Sequence, residues 1–480
     1  MTERVAGHTA DRAPGRARIL VAAVYHSHLP YFWQVTRGLA QAGWPALFLA
    51  FTPREQDWLD RQQAPCWPLR VHHLSAPAEA VFSDAQVRDI LSFSIAKAPQ
   101  PVREADWVAR LQAIGAQMEA ALLAHQPEAV LIWNGSEFIG KALAVLARRH
   151  GVRTVFLENG YFPATLQIDT EGVNSSSSLT RRPFEALRAE LARVSMAEGL
   201  PAGIGPAAAL AEPQTLSPTE ELGRAYDLRR FLSRHLDAGY FRKFPELQGS
   251  TALSARRLRK RRAAIPVDTA PLPARFVFLP FQVHDDTQIL ENSPHFRSME
   301  AFFEHCHAAI RRCFGPDMGI VVKEHPEDLF RHGYEGLRQR YPDVLWLTKF
   351  DVDRLIRECE LVMVVNSSVG LQAIAAGKPV VTFGESFYAR PEICFPVVDL
   401  VQTDALLALA AQGLSAGMHA DAELFVAYLR QVFFVDGSWS RVELNGVRRS
   451  VARVLELLAP QAPDRLEADP ASRAAPLRAA

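Results

Sequence analysis

Apolar runs of strand length alternate with stretches of helical periodicity in the first third of the chain. The runs are bounded by glycines and polar turns, and amphipathic segments lie between them. The pattern predicts strands at 18–24, 44–51, 129–133 and 154–157 and helices at 31–42, 107–124 and 138–150. Because a strand followed by a helix and a second strand forms a βαβ unit, this part of the chain is expected to build a parallel sheet.

The same alternation begins again after a long charged segment. Residues 180–265 are helical and charged in pattern, with a loop at 201–218, and we expect this insert to cover the first sheet and connect two lobes. Beyond it, the pattern predicts strands at 275–279, 319–322, 344–347, 361–365 and 379–383, helices at 298–314, 351–359 and 369–376, and a segment of unassigned type at 334–340. Repeated units of this kind predict a second parallel sheet that is covered on both faces.

The domain organisation follows from these two alternations. A chain of 480 residues exceeds the size at which one core stops growing. We expect a Rossmann-like N-terminal domain at 17–265 with its helical insert, and a Rossmann-like C-terminal domain at 266–458, whose last helices pack back across the lobes from about residue 420. The ends, 1–16 and 459–480, offer too little apolar surface to fold alone and are expected to be disordered.

Composition excludes several classes of protein. Lys plus Arg and Asp plus Glu both total 53, so no overall field recruits nucleic acid. The five cysteines lack a C-x-x-C spacing, which argues against a disulfide framework and a zinc knuckle. No run of eighteen apolar residues marks a membrane span, and the start of the chain has no apolar leader segment. The expected location is the cytoplasm.

Two polar motifs follow strands of the second alternation. Lys323 and His325, followed by Pro326, come after the strand at 319–322, and the motif 366–370 comes after the strand at 361–365. Ligands of an open α/β sheet bind beyond the carboxyl ends of its strands. Serine hydroxyls and free amides at a helix start suit a phosphate, and an imidazole and an ammonium can add positive charge. The phosphate ligands that this predicts are Lys323, His325, Ser367, Ser368, Val369 and Gly370. One serine also serves as an N-cap in the plainer interpretation, and the two roles are compatible.

Four motifs in one order resemble the capsule polysaccharide synthesis proteins of Gram-negative bacteria. They stand at 156–174, 280–289, 323–326 and 366–379, and the resemblance runs from about Ile19 to about Pro391. It implies GT-B architecture and a retaining transferase of β-Kdo, an eight-carbon acidic 2-keto sugar, from CMP-β-Kdo. It is strongest to members that start a Kdo linker on a lysophosphatidylglycerol acceptor. The implied partners are the CMP-sugar donor, a glycolipid or phospholipid acceptor and other capsule assembly proteins, and the implied chemistry needs no cofactor or metal.

A retaining double displacement requires a carboxylate nucleophile and a general base. Asp286, just past the strand at 275–279, is the first choice as nucleophile, and Asp285 is its rival. Glu158 ends a strand in the other lobe, from which it could accept the proton of the acceptor hydroxyl. In the alternative interpretation these acidic residues only cap helices or fix turns.

Further candidates line the same predicted sheet edge. Gln282 belongs to the second motif, and Glu385 and Tyr388 follow the strand at 379–383, where they could contact ribose or cytosine. Asp351 and Asp353 imitate a metal-binding D-x-D, but they open a helix, where carboxylates act as caps.

Two other features leave alternatives open. His26 and His28 follow the first strand without a third metal ligand in the sequence, so acceptor contact and loop packing both remain. A basic run, residues 256–262, either binds an anionic membrane surface, which would make the protein peripheral on the inner membrane, or forms a solvated helix face.

Three functions therefore compete. They are a CMP-Kdo transferase, a transferase of another CMP-linked acid sugar of the sialic acid type, and a non-catalytic component of capsule assembly or export. A fold retained without chemistry would lose residues such as Glu158, Asp286 and His325, and all of them are present. The sequence thus favours an enzyme.

Overall fold

A computed structural model describes residues 17–23, 26–69, 77, 79–97, 103–196, 257 and 260–459. The tails expected at 1–16 and beyond 459, and most of the predicted insert, lie outside these residues. No helix in the described part is both long and apolar enough to cross a bilayer.

The first unit alternates strands and helices as its apolar pattern predicts. Its buried strands follow one another through amphipathic helices, one of which begins at a capping box formed by Thr52 and Glu55. The elements are β1 (Ile19–Ala22), α1 (Leu29–Gln41), β2 (Ala46–Ala50), α2 (Pro53–Arg61), β3 (Cys66–Pro68), α3 (Asp84–Ala96), α4 (Glu104–His125), β4 (Ala129–Trp133), α5 (Phe138–Arg149), β5 (Arg153–Asn159), β6 (Thr165–Asp169) and α6 (Phe184–Met196).

The second unit repeats this alternation with shorter elements. Its strands are apolar and buried, and its helices begin at polar caps such as Ser298 and Ser367. The elements are β7 (Phe276–Pro280), α7 (Thr287–Leu290), α8 (Met299–Phe314), β8 (Gly319–Lys323), α9 (Glu335–Arg340), β9 (Leu345–Leu347), α10 (Val352–Glu358), β10 (Leu361–Val364), α11 (Ser368–Ala375), β11 (Val380–Thr382), β12 (Phe395–Pro396), α12 (Thr403–Ala410), α13 (Ala416–Tyr428), β13 (Phe434–Asp436) and α14 (Leu444–Leu458).

Two sheets organise these elements. The first has the order β13-β6-β5-β4-β1-β2-β3, and the second has the order β12-β11-β10-β7-β8-β9. Every pair of the second sheet is parallel, as are the pairs from β5 to β3 in the first. Apolar clusters cover both faces of each sheet. Two Rossmann-like units that face a cleft form the predicted α/β, GT-B-like fold.

The C-terminal segment differs from the prediction of helices only. Residues Phe434–Asp436 form β13, which pairs antiparallel with β6 at the edge of the first sheet. Such a short strand has too few positions to show a period of two, so its long-range pairing decides its conformation. The helix α14 then packs on α1, where the hydroxyl of Tyr31 donates to Ser450 Oγ at 2.8 Å. The C-terminal residues, predicted as helices that pack back across the lobes, therefore complete the first unit through a strand as well as a helix.

The described part of the predicted insert also lies elsewhere than expected. Phe184 and Leu187 of α6 are buried in the core on one face of the second sheet, and Arg188 pairs with Asp421 of α13 at 2.7 Å. The outer face of the first sheet is covered by α3, α4 and α5 instead. The helix α6 thus follows the first unit in sequence but packs on the second.

Candidate functional site

A cavity of about 300 Å³ opens in the cleft between the two units, and it is called the central cavity below. Its lining residues follow the carboxyl ends of strands in both sheets, where backbone and side-chain groups point away from the sheet. Six of the predicted site residues line it together: Glu158, Gln282, Asp286, His325, Ser367 and Ser368. The structure therefore brings carboxylates from both units and three of the six predicted phosphate ligands, His325, Ser367 and Ser368, into one space.

Glu158 is the second-to-last residue of β5 and faces this cavity from the first unit. Its Oε2 accepts from Asn134 Nδ2, and its Oε1 accepts from the amide N–H of Asn159 at 2.7 Å. Burial raises the pKa of Glu158 to about 7, the hydrogen bonds from Asn159 and Asn134 oppose the shift, and the nearby Asp286 adds to it. A carboxyl whose pKa lies near neutrality can accept a proton at the pH of the cytoplasm.

Asp286 faces Glu158 from the second unit as the N-cap of α7. Its Oδ1 accepts from the amide of Gln288 at 3.1 Å, and no described residue donates a hydrogen bond to its Oδ2. Burial raises its pKa, while the amide of Gln288 and the charges of Lys97 and His325 lower it. The capping role and a free second oxygen therefore coexist. Asp285, the rival nucleophile, forms an ion pair with Arg331 and does not line the central cavity.

His325 presents a defined ring nitrogen to the cavity. The amide N–H of Glu327 donates to His325 Nδ1 at 3.1 Å, so Nδ1 is the acceptor and Nε2 carries the hydrogen. Burial lowers the pKa of the imidazole, against the acidic neighbours Asp328 and Glu327. Burial therefore disfavours the charged ring, and Nε2–H is its hydrogen-bond donor; the role of His325 as a phosphate ligand stays a prediction.

The two serines divide the predicted roles at the start of α11. Ser367 Oγ accepts from the amide of Val369 at 3.2 Å and so caps the helix, while Ser368 opens the helix and also lines the cavity. The N-cap interpretation is thus confirmed for Ser367, and the phosphate role of the motif stays a prediction. Val369 and Gly370 do not line the cavity, and their amides, predicted as phosphate donors, instead donate to Oγ and the carbonyl oxygen of Ser367 at 3.2 and 2.9 Å.

Tyr388 was expected to meet ribose or cytosine, and the structure places it behind the site instead. The side chain is fully buried, and its hydroxyl donates to the carbonyl oxygen of Ser367 at 2.6 Å. A Cβ added at Gly370 would lie 2.6 Å from that hydroxyl, so the small residue leaves room for it. Tyr388 supports the helix start rather than a ligand.

Three further predicted residues also lie away from the central cavity. Lys323 is partly buried and donates to the carbonyl oxygen of Glu324 at 3.4 Å; burial lowers its pKa, while Asp268 opposes the shift. Pro326 is exposed, and Glu385 lines a neighbouring cavity. Lys323 misses the central cavity because it is the last residue of a strand, where a side chain points to one face of the sheet only. The loop after the strand then carries His325 to the cavity.

Polar residues that the sequence did not single out complete the site. Asn366 is fully buried, receives a hydrogen bond from Gln282 Nε2 at 2.9 Å and donates to the carbonyl oxygens of Gln288 and Asn292. Asn134 and Asn174 both have positive φ angles, 60° and 54°, and both line the cavity. Asparagine adopts positive φ angles more readily than most residues. The Asn-Gly pair that follows β4 is therefore a sequence signal that could have indicated Asn134 as a site residue.

The remaining sequence candidates have structural roles. His28 is buried between Trp133 and Trp439, with ring centroids 4.2 Å away in each case, which corresponds to packing; the side chain of His26 lies outside the described part. Asp351 Oδ1 accepts from the amide of Asp353 at 3.0 Å and caps α10. Among the described residues, no group of three or more His, Cys, Asp or Glu side chains could hold a metal ion.

The basic run is only partly described, and two of its described members contact the second unit. Arg262 pairs with Glu327 at 2.7 Å, and the guanidinium of Arg261 lies 4.2 Å from the ring centroid of Phe330. These two residues therefore pack beside the loop that carries His325, which does not match a wholly solvated helix face. Arg256 and Arg259 lie outside the described residues.

Comparison with known proteins gives a family match and several weaker likenesses. Protein FixF of Sinorhizobium fredii is 29% identical over 314 residues, which are 65% of this chain and 61% of that protein. The capsule polysaccharide export protein KpsS of Escherichia coli is 24% identical over 267 residues, 50% of this chain and 63% of that protein. The chain thus spans less than two thirds of the length of these relatives.

Solved structures resemble the chain at low identity. The β-Kdo 2,7-transferase of Thermosulfurimonas dismutans KpsC has a TM-score of 0.36 at 16% identity, covering 78% of this chain and 97% of that one. The spinosyn rhamnosyltransferase SpnG has a TM-score of 0.32 at 16% identity, covering 92% and 100%. The fold assignment rests on the sheet arrangement above. The family model described as capsule polysaccharide biosynthesis protein matches residues 128–435, which is more than half of the chain. The chain belongs to the capsule polysaccharide biosynthesis protein family.

Proposed function

We propose that this chain is a capsular polysaccharide glycosyltransferase that moves β-Kdo from CMP-β-Kdo to a hydroxyl of a lipid or Kdo acceptor, with retention, by double displacement. One observation carries the proposal: Glu158 and Asp286, from opposite units, line the same cavity as His325 and Ser368. Two carboxylates with different surroundings, beside donors suited to a phosphate, are the groups that this reaction needs.

In the first displacement, Oδ2 of Asp286 attacks the anomeric carbon of the donor sugar. The bond from that carbon to the phosphate oxygen breaks, and its electron pair leaves with CMP. Negative charge develops on the phosphate, where His325 Nε2–H and the hydroxyl of Ser368 donate hydrogen bonds. Removing one such donor typically lowers kcat by about 10²–10³. The product is a sugar ester of Asp286 with inverted configuration.

In the second displacement, the acceptor oxygen attacks the same carbon as Glu158 takes its proton. The bond to Asp286 breaks and restores the carboxylate, so two inversions give net retention. The pKa of about 7 at Glu158 suits this step, because the group accepts a proton in the cleft and releases it to water afterwards. The proposal assigns the phosphate to donors of the chain and includes no cofactor and no metal.

The proposed partners follow from the acceptor. A lysophosphatidylglycerol-like acceptor would bring the protein to the inner face of the inner membrane as a peripheral protein, in contact with other capsule assembly proteins. The basic run at 256–262 is the candidate contact with anionic lipid. Its described members Arg261 and Arg262 also contact the second unit, so they join that surface to the donor side of the cleft.

Two other functions have specific support. A different CMP-linked acid sugar would use the same phosphate ligands and carboxylates, since neither contacts the part of the sugar that distinguishes it. A non-catalytic role is favoured by the name of one relative, a capsule polysaccharide export protein. It requires that the carboxylates of the central cavity make no covalent bond.

The decisive experiment traps the intermediate in Glu158→Ala. Without the general base, the sugar should remain on Asp286 after CMP-Kdo is added, and intact-protein mass spectrometry should show a gain of one anhydro-Kdo unit, mapped to the peptide of Asp286. The double variant Glu158→Ala/Asp286→Asn is the matched control and should gain no mass. An adduct with CMP-neuraminic acid but not CMP-Kdo would select the alternative donor. No adduct and no release of CMP in either variant or the wild type would exclude the enzyme.

A further inference from the structure

A second cavity of about 960 Å³, called the flank cavity, lies beside the central cavity. We propose that it is the acceptor subsite and that it takes an anionic polyol, meaning hydroxyl groups beside a carboxylate or phosphate. The inference rests on the proposed function, because it assumes that a donor sugar occupies the central cavity.

The two cavities join at two asparagines. Asn134 and Asn174 line both of them, and Asn134 Nδ2 donates to the carboxylate of Glu158. A hydroxyl that enters from the flank cavity therefore reaches the proposed general base by passing these two side chains. The central cavity, at about 300 Å³, lies at the lower limit for a single ligand of about 300–1,000 Å³. A donor leaves it no room for an acceptor.

One wall of the flank cavity is a loop that two buried polar residues hold in place. Asp169, 2% exposed, accepts from the amides of Glu171 and Ser178 at 2.8 and 3.1 Å. Gln167, fully buried, accepts from the amide of Asn174 at 3.0 Å and donates to its Oδ1 at 2.8 Å. Buried polar groups that are satisfied in this way fix the loop before any ligand arrives.

The same bonds set the direction of the Asn174 amide. Since Gln167 occupies its Oδ1, the Nδ2 group is the end that remains for other partners, and no described residue accepts a hydrogen bond from it. A donor at the junction of the two cavities can bind an acceptor oxygen next to Glu158. The positive φ of Asn174, 54°, is consistent with a loop shaped for a ligand rather than for regular structure.

Charged groups on the walls suit an anion with hydroxyls. Arg148 of α5 and Arg297 of the second unit both line the cavity, and each bonds only to a backbone carbonyl within the described chain, that of Glu171 at 3.4 Å and that of Leu290. Neither guanidinium pairs with a carboxylate there, so both can bind an anion. Asp89 and Glu385 line the cavity as well and offer acceptors for sugar or glycerol hydroxyls.

An ion pair across the cleft holds the two walls together. Lys141 Nζ of the first unit lies 2.6 Å from Glu291 Oε1, which also accepts from the hydroxyl of Ser92 at 2.7 Å. Glu291 is the C-cap of α7, whose N-cap is Asp286. The contact therefore links the wall that carries Arg148 to the helix that carries the proposed nucleophile.

The test is acceptor binding by calorimetry in the presence of CMP, with two probes. One is a water-soluble short-chain lysophosphatidylglycerol, and the other is a Kdo glycoside with a neutral alkyl group. The double variant Arg148→Gln/Arg297→Gln should weaken binding of the preferred probe by at least about tenfold, because it removes two charge-assisted contacts. Arg193→Gln is the matched control, since Arg193 is also exposed and also bonds only to a carbonyl, that of Ala189 at 3.4 Å.

Each result decides a different point. Tighter binding of one probe by the wild type identifies the anion as a lipid phosphate or a sugar carboxylate. Failure of the wild type to bind either probe, or equal affinity in the double variant and the wild type, would overturn the subsite. CMP affinity should stay within about twofold in all variants, since the arginines lie outside the central cavity. If the wild type binds a probe through these arginines but never releases CMP from the donor, the subsite stands and the proposed transferase fails.

Discussion

The raised pKa of Glu158 makes a stability prediction that needs no substrate. Its carboxyl titrates near pH 7 in the folded chain and near 4.5 when exposed, so between these values the folded state holds a proton that the unfolded state has lost. Stability therefore falls as pH rises from about 4.5 to 7 and levels off above that. Glu158→Gln removes this loss and should gain stability relative to the wild type as the pH increases.

The magnitude follows from the two pKa values. Between pH 5 and pH 8 the penalty for ionising Glu158 grows by at most about 2.5 kcal/mol, from 1.36 kcal/mol for each pKa unit. Since Glu158 lines an open cleft and is partly accessible, solvent screening should reduce this to about 1–2 kcal/mol. The glutamine also places an amide against Asn134 Nδ2, which lowers stability by about 1–3 kcal/mol at every pH.

The assay is urea unfolding of both proteins at pH 5 and pH 8. The effect of Glu158→Gln on the unfolding free energy is obtained at each pH, and the value at pH 5 is subtracted from the value at pH 8. This cancels the pH-independent loss at Asn134 and leaves the titration of Glu158 alone. We expect a difference of about 1–2 kcal/mol in favour of Glu158→Gln at pH 8. A difference near zero, or one of opposite sign, would show that Glu158 titrates as an ordinary surface carboxyl and would weaken its assignment as general base.

Three further predictions concern the same cleft. Transfer should increase with pH through about 7 and then level off, since Glu158 must be ionised to accept a proton; a flat pH–rate profile would contradict this. Tyr388→Phe should lower the unfolding free energy by about 0.5–1.5 kcal/mol, because the carbonyl oxygen of Ser367 loses the hydrogen bond from the hydroxyl and keeps the one from the amide of Gly370; urea unfolding measures the loss. Calorimetry should find CMP affinity nearly unchanged in Asp286→Ala and reduced in His325→Ala, with both affinities unaffected by EDTA; a metal requirement would appear as lost binding after chelation.

The sequence predicted which polar groups meet in the central cavity because these groups follow strands. Parallel strands bring their carboxyl ends to one edge, so polar motifs that follow apolar runs, such as those around Glu158, Asp286 and His325, converge without knowledge of any other contact. The fold class follows from the same alternation of periods. Neither inference depends on how distant parts of the chain pack.

The residues placed wrongly depend on such packing or on single-residue detail. Lys323 occupies the last position of a strand, where one step decides which face a side chain takes. Tyr388 follows a strand and so was expected to contact a ligand at the sheet edge. Its ring is instead buried beneath α11, and the sequence motif does not show which way the side chain points. Asn174 became a site residue through Gln167, its partner across a loop, and no spacing in the sequence signals that bond.

The antiparallel pairing of β13 with β6 has a consequence for biosynthesis. The edge of the first sheet and the contact of α1 with α14 depend on residues 434–458, which leave the ribosome only after the whole second unit has been made. The N-terminal half must therefore wait, with one sheet edge and one helix face uncovered, until residues 434–458 have been synthesised. Dividing the gene between the two units should yield an N-terminal fragment that needs a chaperone or the missing C-terminal peptide to stay in solution.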